Sequence, residues 1–146
     1  MADTLHLRIL TPEREVFDAE VQSMTAEGAL GQFGVLPRHI TFLTALEPGP
    51  LTYTERPGAS RTIAVKGGYA EVRDDVVTVL ADDAVRPSDV NPAAARVALE
   101  DARRALEERP FGHPEHEEAR REVRWAEVLS ELTNKGGTDL KFVPSL

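Results

Sequence analysis

Gly28-Ala29-Leu30-Gly31-Gln32-Phe33-Gly34-Val35-Leu36-Pro37-Arg38-His39-Ile40-Thr41-Phe42-Leu43-Thr44-Ala45-Leu46-Glu47-Pro48-Gly49 is the stretch on which the reading of this chain turns. Gly28, Gly31 and Gly34 recur at three-residue spacing and let the backbone turn where a Cβ would clash, with Phe33, Val35 and Leu36 between and after them. Pro37 removes a donor and fixes φ, His39 follows, and Ile40 to Leu46 reads as a buried strand closed by the turn pair Pro48-Gly49. A stiff apolar loop beside a strand suits docking onto a large partner. The spacing is neither G-x-G-x-x-G nor G-x-x-x-x-G-K-[ST], and no helical pattern follows it, so a phosphate cradle would lack its helix N-terminus. Spacing alone favours a bulged turn between strands that needs glycine for shape only.

Outward from this stretch, the first 86 residues read as short strands. Leu5 to Leu10 alternates, Glu15 to Asp18 and Ala19 to Glu27 continue in extended pieces, and Pro50–Thr54, Arg61–Lys66, Tyr69–Arg73 and Val76–Ala81 follow. Glu47-Pro48-Gly49, Arg56-Pro57-Gly58, Gly67-Gly68 and Asp74-Asp75 separate them with turn compositions. Regular turns of this kind predict an antiparallel β-sandwich or flattened barrel. Ile63 and Val65 share one face, as do Val77 and Val79. Ala64 and Leu80 leave the second face only half polar, which gives a partner somewhere to bind.

Composition changes at Val85-Arg86-Pro87-Ser88-Asp89, after which Ala, Glu, Arg and Leu dominate. Asn91 as N-cap and Pro92 at the first helical position open a helix to about Arg109, with an apolar stripe of Ala95, Ala98, Leu99, Ala102, Ala105 and Leu106. Pro110-Phe111-Gly112-His113-Pro114 stops it, and a second helix begins near Glu115 and ends at Asn134 to Gly137, with Trp125, Val128, Leu129 and Leu132 on one face. A short loop predicts an antiparallel helical hairpin. The chain is therefore α+β: residues 1–86 form a sandwich domain, 87–137 a hairpin, and 138–146 a flexible tail.

Formal net charge is −8, spread as −5 over residues 1–86 and −3 over 87–146. That balance, with few aromatics, argues against nucleic acid and for a protein partner. No cysteine is present, so thiol chemistry is excluded. The N-terminus alternates like a strand and carries no export signal, and no apolar run reaches the ~18 residues needed to cross a bilayer, so membrane association has to come through partner subunits. His113, His116 and Glu117 lie close in sequence but lack the H-E-x-x-H register of a metal site. His39 has no serine or cysteine nucleophile in a suitable setting, so no catalytic residue, metal ligand or cofactor site is expected. Arg96, Arg103, Arg104, Arg120, Arg121 and Arg124 can engage an acidic partner or pair with interleaved glutamates.

The Gly-x-x-Gly-x-x-Gly-Val-Leu-Pro-x-His core from Gly28 to His39, its Leu46-Glu47-Pro48-Gly49 ending, Gly67-Gly68 and Val79-Leu80-Ala81-Asp82 together resemble the epsilon subunit of bacterial F-type ATP synthases over roughly residues 4–134. The resemblance implies a non-catalytic central-stalk subunit, peripheral at the cytoplasmic face of the cell membrane, that turns with the rotor and couples proton flow to ATP synthesis. It implies a sandwich clamped on the gamma subunit and resting on the c-ring, with Gly31, Gln32 and Phe33 toward the ring and His39 and Thr44 toward gamma. Many relatives carry an acid where Gln32 stands, so a neutral hydrogen bond replaces a charge-assisted contact here.

The resemblance further implies a hairpin able to fold down or to extend, its basic residues transiently meeting acidic segments of the beta subunits and blocking hydrolysis. The family's nucleotide motif, Ile/Leu-Asp-x-x-Arg-Ala, falls on Val90-Asn91-Pro92-Ala93-Ala94-Ala95. Asn91 and Ala94 replace its charged groups, and weak or no ATP binding is expected. The competing reading is a sandwich adaptor with a fixed hairpin, serving an unrelated complex.

Overall fold

The computed structural model describes residues 3–134. The sandwich expectation holds, built from β1 Leu5–Leu10, β2 Glu15–Val21, β3 Ser23–Gly28, β4 Gly31–Val35, β5 Phe42–Leu46, β6 Gly49–Arg56, β7 Ala59–Val65, β8 Gly68–Arg73, β9 Val76–Ala81 and β10 Ala84–Val85. They form one sheet in the order β10-β7-β6-β3-β5-β8-β9-β1-β2, with β4 added beside β3. The sheet folds over on itself, so that Phe17 of β2 meets Tyr53 of β6 with ring centroids 4.4 Å apart. One pair, β1 with β9, runs parallel. Alternation along a strand assigns its faces but not its direction, so sequence periodicity carries no trace of this pairing.

The period-two pattern does the folding work. Leu5, Leu7 and Ile9 of β1 and Val77 and Val79 of β9 are fully buried, and Val21, Met24, Leu51, Tyr53, Ile63 and Val72 join them in one core. Each such side chain removed from water contributes about 1.5–3 kcal/mol before the entropy of ordering it is counted.

Two local expectations are corrected. The glycine stretch is a β-hairpin in place of a bulged loop: β3 and β4 pair in register from Met24 opposite Val35 to Gly28 opposite Gly31, leaving Ala29-Leu30 as the turn. Ile40 to Leu46 is not a buried strand throughout; β5 starts at Phe42, and Ile40 and Leu43 are exposed. Residues 36–41 form an irregular link whose Arg38, at φ 68°, donates its backbone N–H to Asp75 Oδ1 at 2.6 Å.

After β10, a short 3-10 turn at Pro87–Asp89 leads into α1 Pro92–Glu107 and, beyond the proline loop, α2 His116–Asn134. Asn91 caps α1, its Oδ1 accepting from Ala93 N at 2.9 Å and Ala94 N at 3.1 Å. Helix α2 faces two ways. Trp125, Val128 and Leu132 pack with Ala64 of β7 and Val85, covering the outer side of β6 and β7, where the hydroxyls of Thr52 and Thr62 meet at 3.1 Å. Ala119 lines a groove with Ala102 and Ala105 of α1. On α1 only Ala95 is fully buried, and Ala98, expected in the stripe, is exposed. The expected tail at 138–146 and the hairpin residues 135–137 lie outside the described residues.

Candidate functional site

Two surfaces of the sandwich look built for partners. The first is the β3–β4 hairpin. Gly31 adopts φ 121°, open to glycine and strained for other residues, and a Cβ on Gly28 would sit 3.1 Å from both the Gly31 carbonyl oxygen and the Phe33 ring. These glycines hold a two-residue turn that presents Leu30, which is 99% exposed. Gly31 and Gln32 are also exposed, with Gln32 opposite Glu27 in register, whereas Phe33 turns inward and packs on Phe42 at 5.4 Å. Phe42 in turn meets His39 edge-on at 5.9 Å, so Phe33, expected to face the ring, and His39, expected to face gamma, are linked through one aromatic row.

The second surface is the outer side of β5, β8 and β9. In register, Ala45 lies opposite Tyr69 and Tyr69 opposite Leu80, while Leu43 lies opposite Glu71 and Glu71 opposite Thr78. Leu43, Tyr69 and Leu80 are exposed and, with Glu71 and Thr78, line a shallow depression of about 130 Å³. This strip continues across β1 and β2 into a charged border. His6 lies between Glu20, at 2.9 Å from Nδ1, and Asp18, on Nε2; Arg8 Nε lies 3.4 Å from Asp18. Hydrogen bonding to the carboxylates of Glu20 and then Asp18 raises the His6 pKa above the usual imidazole value. Glu20 is lowered in return, chiefly by His6 and then by Thr4. Asp18 is lowered first by its hydrogen bond with Glu15 and then by His6, and Glu15 is raised by that same bond. An apolar centre with a polar margin is the anatomy of a protein–protein interface.

Thr44 shares the inward side of β5 with Phe42 and Leu46, half-buried, and its Oγ1 donates to the Ala45 carbonyl at 3.0 Å. It therefore lies on the opposite face from Leu43 and Tyr69. Sequence reasoning found Leu80 on a half-apolar face but missed Tyr69 and Leu43 beside it, and it passed over Leu30; the strand register and the turn geometry are the signals that bring them forward.

The helical arginines are mostly occupied. Arg104 pairs with Asp101 at 3.5 Å, Arg120 with Glu117 at 3.2 Å, and Arg124 with Glu127 and Glu131 at 3.8 Å each. Arg121 lines a cavity of about 320 Å³ with Lys66, Asp82, Glu117, Glu118 and Glu122, beside the 2.7 Å Lys66–Glu122 bridge. Arg96 and Arg103 are exposed on α1. His113 Nδ1 accepts the Glu115 backbone N–H at 3.0 Å, and His116 Nδ1 lies 2.8 Å from the Arg109 carbonyl, so both imidazoles shape the loop. Arg109 closes it by an ion pair with Glu115 at 2.8 Å, which lowers the Glu115 pKa. Ala94, at the arginine position of the degenerate nucleotide motif, is exposed beside the Asn91 cap. Among the described residues no helix is long and apolar enough to cross a membrane.

Residues 4–87 match the family model for the beta-sandwich domain of the ATP synthase delta/epsilon chain. The ATP synthase epsilon chain of Moorella thermoacetica is 44% identical over 109 residues, 75% of this chain and 81% of the relative. That of Nitrosococcus oceani is 38% identical over 132 residues, 90% of this chain and 92% of the relative. Among solved structures, a chain of the Euglena gracilis mitochondrial ATP synthase (OSCP/F1/c-ring) is 22% identical with a TM-score of 0.76, covering 90% of this chain and 82% of its own. A chain of the Tetrahymena thermophila mitochondrial ATP synthase central stalk and c-ring is 16% identical with a TM-score of 0.58, covering 88% of this chain and 96% of its own. At those identities the two structures establish a shared fold.

Proposed function

The chain belongs to the ATP synthase delta/epsilon family as an epsilon-type, non-catalytic subunit of the central stalk, and from that premise we propose which of its surfaces meets which partner. It is a peripheral part of a membrane-associated complex, and we assign it to the cytoplasmic face of the cell membrane. The strip of Leu43, Tyr69 and Leu80 docks on the gamma subunit, and His39, in the link before β5, and Thr44, on the inward side of that strand, make a separate second contact with it. The hairpin tip, with Gly31, Gln32 and Phe33, meets the c-ring. Rotation is then transmitted through a sheet whose core is continuous between the two contacts, so torque deforms nothing soft. The single observation that carries the gamma assignment is three large apolar side chains left bare on one sheet face, with a charged border on its β1–β2 side.

The helical hairpin is the regulatory part in this reading. Helix α1 has one fully buried residue and α2 several, so α1 is the more easily detached; Arg104, Arg120 and Arg124 can exchange intrahelical partners for acidic segments of the beta subunits, and Arg96, Arg103 and Arg121 can join them there. The test is binding of the purified chain to gamma. The wild type is expected to form a stoichiometric complex that Leu43→Asp with Tyr69→Asp abolishes while Tm holds; a complex that survives both substitutions sinks the assignment.

A further inference from the structure

The charged border beside the bare strip holds a histidine in an arrangement that only one of its protonation states satisfies. His6 Nδ1 lies 2.9 Å from Glu20 Oε1, and its Nε2 is in contact with Asp18 Oδ1. A neutral imidazole has one N–H and one lone pair, so it donates to one of these carboxylates and turns its lone pair on the other, whereas imidazolium donates to both. The raised pKa of His6, caused first by Glu20 and then by Asp18, agrees with that geometry. When the proton leaves for solvent, one carboxylate loses its cationic partner.

Little else on the border replaces that partner. Glu20 retains the Thr4 hydroxyl at 2.7 Å, and Asp18 retains Arg8 Nε at 3.4 Å with no hydrogen bond between them. Glu15 adds a third carboxylate, 4.0 Å from Arg8. The border thus carries one negative charge in excess while His6 is protonated and two once it is neutral. From β9, the uncharged Val76 and Thr78 stand beside His6 and Arg8, and one strand further Arg73 and Glu71 of β8 stand opposite those two. Asp75, in the turn between β8 and β9, accepts the His6 backbone N–H on its carbonyl and holds Arg38 N–H on its carboxylate. Thr78 also lines the depression between Leu43, Tyr69 and Leu80, so border and strip are one continuous surface.

We infer that this border is a proton-gated flank of the gamma seat: basic side chains of gamma take over Asp18 and Glu20 as His6 gives up its proton, so the contact tightens as pH rises. The inference rests on the reading that the bare strip docks on gamma, and it adds the chemistry of the neighbouring gamma surface and the condition that controls it. Both carboxylates are within reach, since the side chain of Asp18 is 36% exposed and that of Glu20 59%. A partner offering lysine or arginine there competes with imidazolium for the same oxygens, and binding releases a proton.

The experiment measures affinity of the full chain for gamma from mildly acidic to mildly alkaline pH. Gamma titrates identically in every series, so the quantity read is the ratio of wild type to variant. Wild type should gain about two- to fivefold over His6→Gln as pH rises, reaching parity in alkaline solution, and the trend should vanish at about 0.5 M salt. His6→Lys, charged throughout, should fall behind wild type as pH rises. Asp18→Asn with Glu20→Gln removes the groups that gamma would take over, and should hold binding at the weak acidic level at every pH. Calorimetry in buffers of different ionisation heat should show wild type releasing more protons on binding than His6→Gln. A ratio that stays flat with pH, or that moves against wild type, overturns the gate while leaving the strip in place. A complex that survives Leu43→Asp with Tyr69→Asp removes the strip as the gamma seat and the gate with it.

Discussion

The two outer sides of this sandwich meet different fates. Over β6 and β7 the chain supplies its own cover: Ala64 lies under Trp125, Val128 and Leu132, and each is less than a tenth exposed. Over β5, β8 and β9 none of the described residues covers Leu43, Tyr69 and Leu80, each more than half exposed. The same alternating strands thus produce an intramolecular interface on one side and an unfilled one on the other. That uncovered apolar strip is the feature on which the proposed docking to gamma rests.

The sharpest way to break the comparison is to remove the cover. Trp125→Ala deletes the largest side chain of the α2 contact and should cost the free chain about 3 kcal/mol in chemical denaturation, with α1 and α2 becoming sensitive to protease before the sandwich does. A loss below about 1 kcal/mol would mean that α2 is not held by the sheet. The Lys66–Glu122 bridge does not rescue this docking, since a partly exposed ion pair contributes at most about 1 kcal/mol.

A second comparison needs only adjacent residues of one strand. Val79 is fully buried and Leu80 is 55% exposed, on opposite faces of β9. Val79→Ala should cost about 2 kcal/mol of stability. Leu80→Ala should shift stability by less than about 0.5 kcal/mol and weaken gamma binding about tenfold. If Leu80→Ala destabilised the free chain as much as Val79→Ala, the strip would be a covered surface and no docking site.

How much of this was legible beforehand follows from what each signal encodes. The strands and helices were readable because periodicity is local: Leu5, Leu7 and Ile9 alternate, and Asn91-Pro92 announces a helix start that the Asn91 carboxamide does cap. The bare strip was not, because Leu43, Tyr69 and Leu80 come together only through the β5–β8 and β8–β9 registers, which are relations between distant segments. The glycine hairpin fell between these cases. Its need for glycine was evident, but whether Gly28 and Gly31 oppose each other depends on pairing that spacing cannot specify. Ile40 read as a core residue because apolar runs suggest strands, and it is exposed because the link from Leu36 to Thr41 is pinned by Asp75 outside the sheet.

That pin bears on the bare side directly, since the link leads into β5. Arg38 occupies the left-handed region at φ 68°, where a side chain costs about 1 kcal/mol relative to glycine. Arg38→Gly keeps the N–H to Asp75 and should raise the stability of the free chain by about 0.5 kcal/mol, part of the gain being returned to unfolded-state entropy. A lower Tm would mean that the arginine side chain holds the link, and the strain argument would fail.

The smallest effect tests the charged border of the bare strip. His6 has its pKa raised in the folded chain by Glu20 and then Asp18, so its contribution to stability is complete below the ordinary imidazole value and is lost as pH rises through the raised one. Glu20 and Asp18 have theirs lowered, so their contribution is lost as pH falls through the acid range. Facing this cluster are Thr4 and Arg8 from β1 and its approach, Glu15 from β2, and Val76 and Thr78 from β9, of which only Arg8 and Glu15 are charged. The advantage of wild type over His6→Gln should therefore be greatest in mildly acidic solution and shrink toward both strongly acidic and alkaline pH. Because the border is exposed and salt screens it, the difference should also shrink at high ionic strength, which the buried contact of α2 should not do. A His6→Gln variant whose deficit grew steadily from acid to alkaline pH would show that the imidazole works neutral, as a packing group, and the border would lose its electrostatic character.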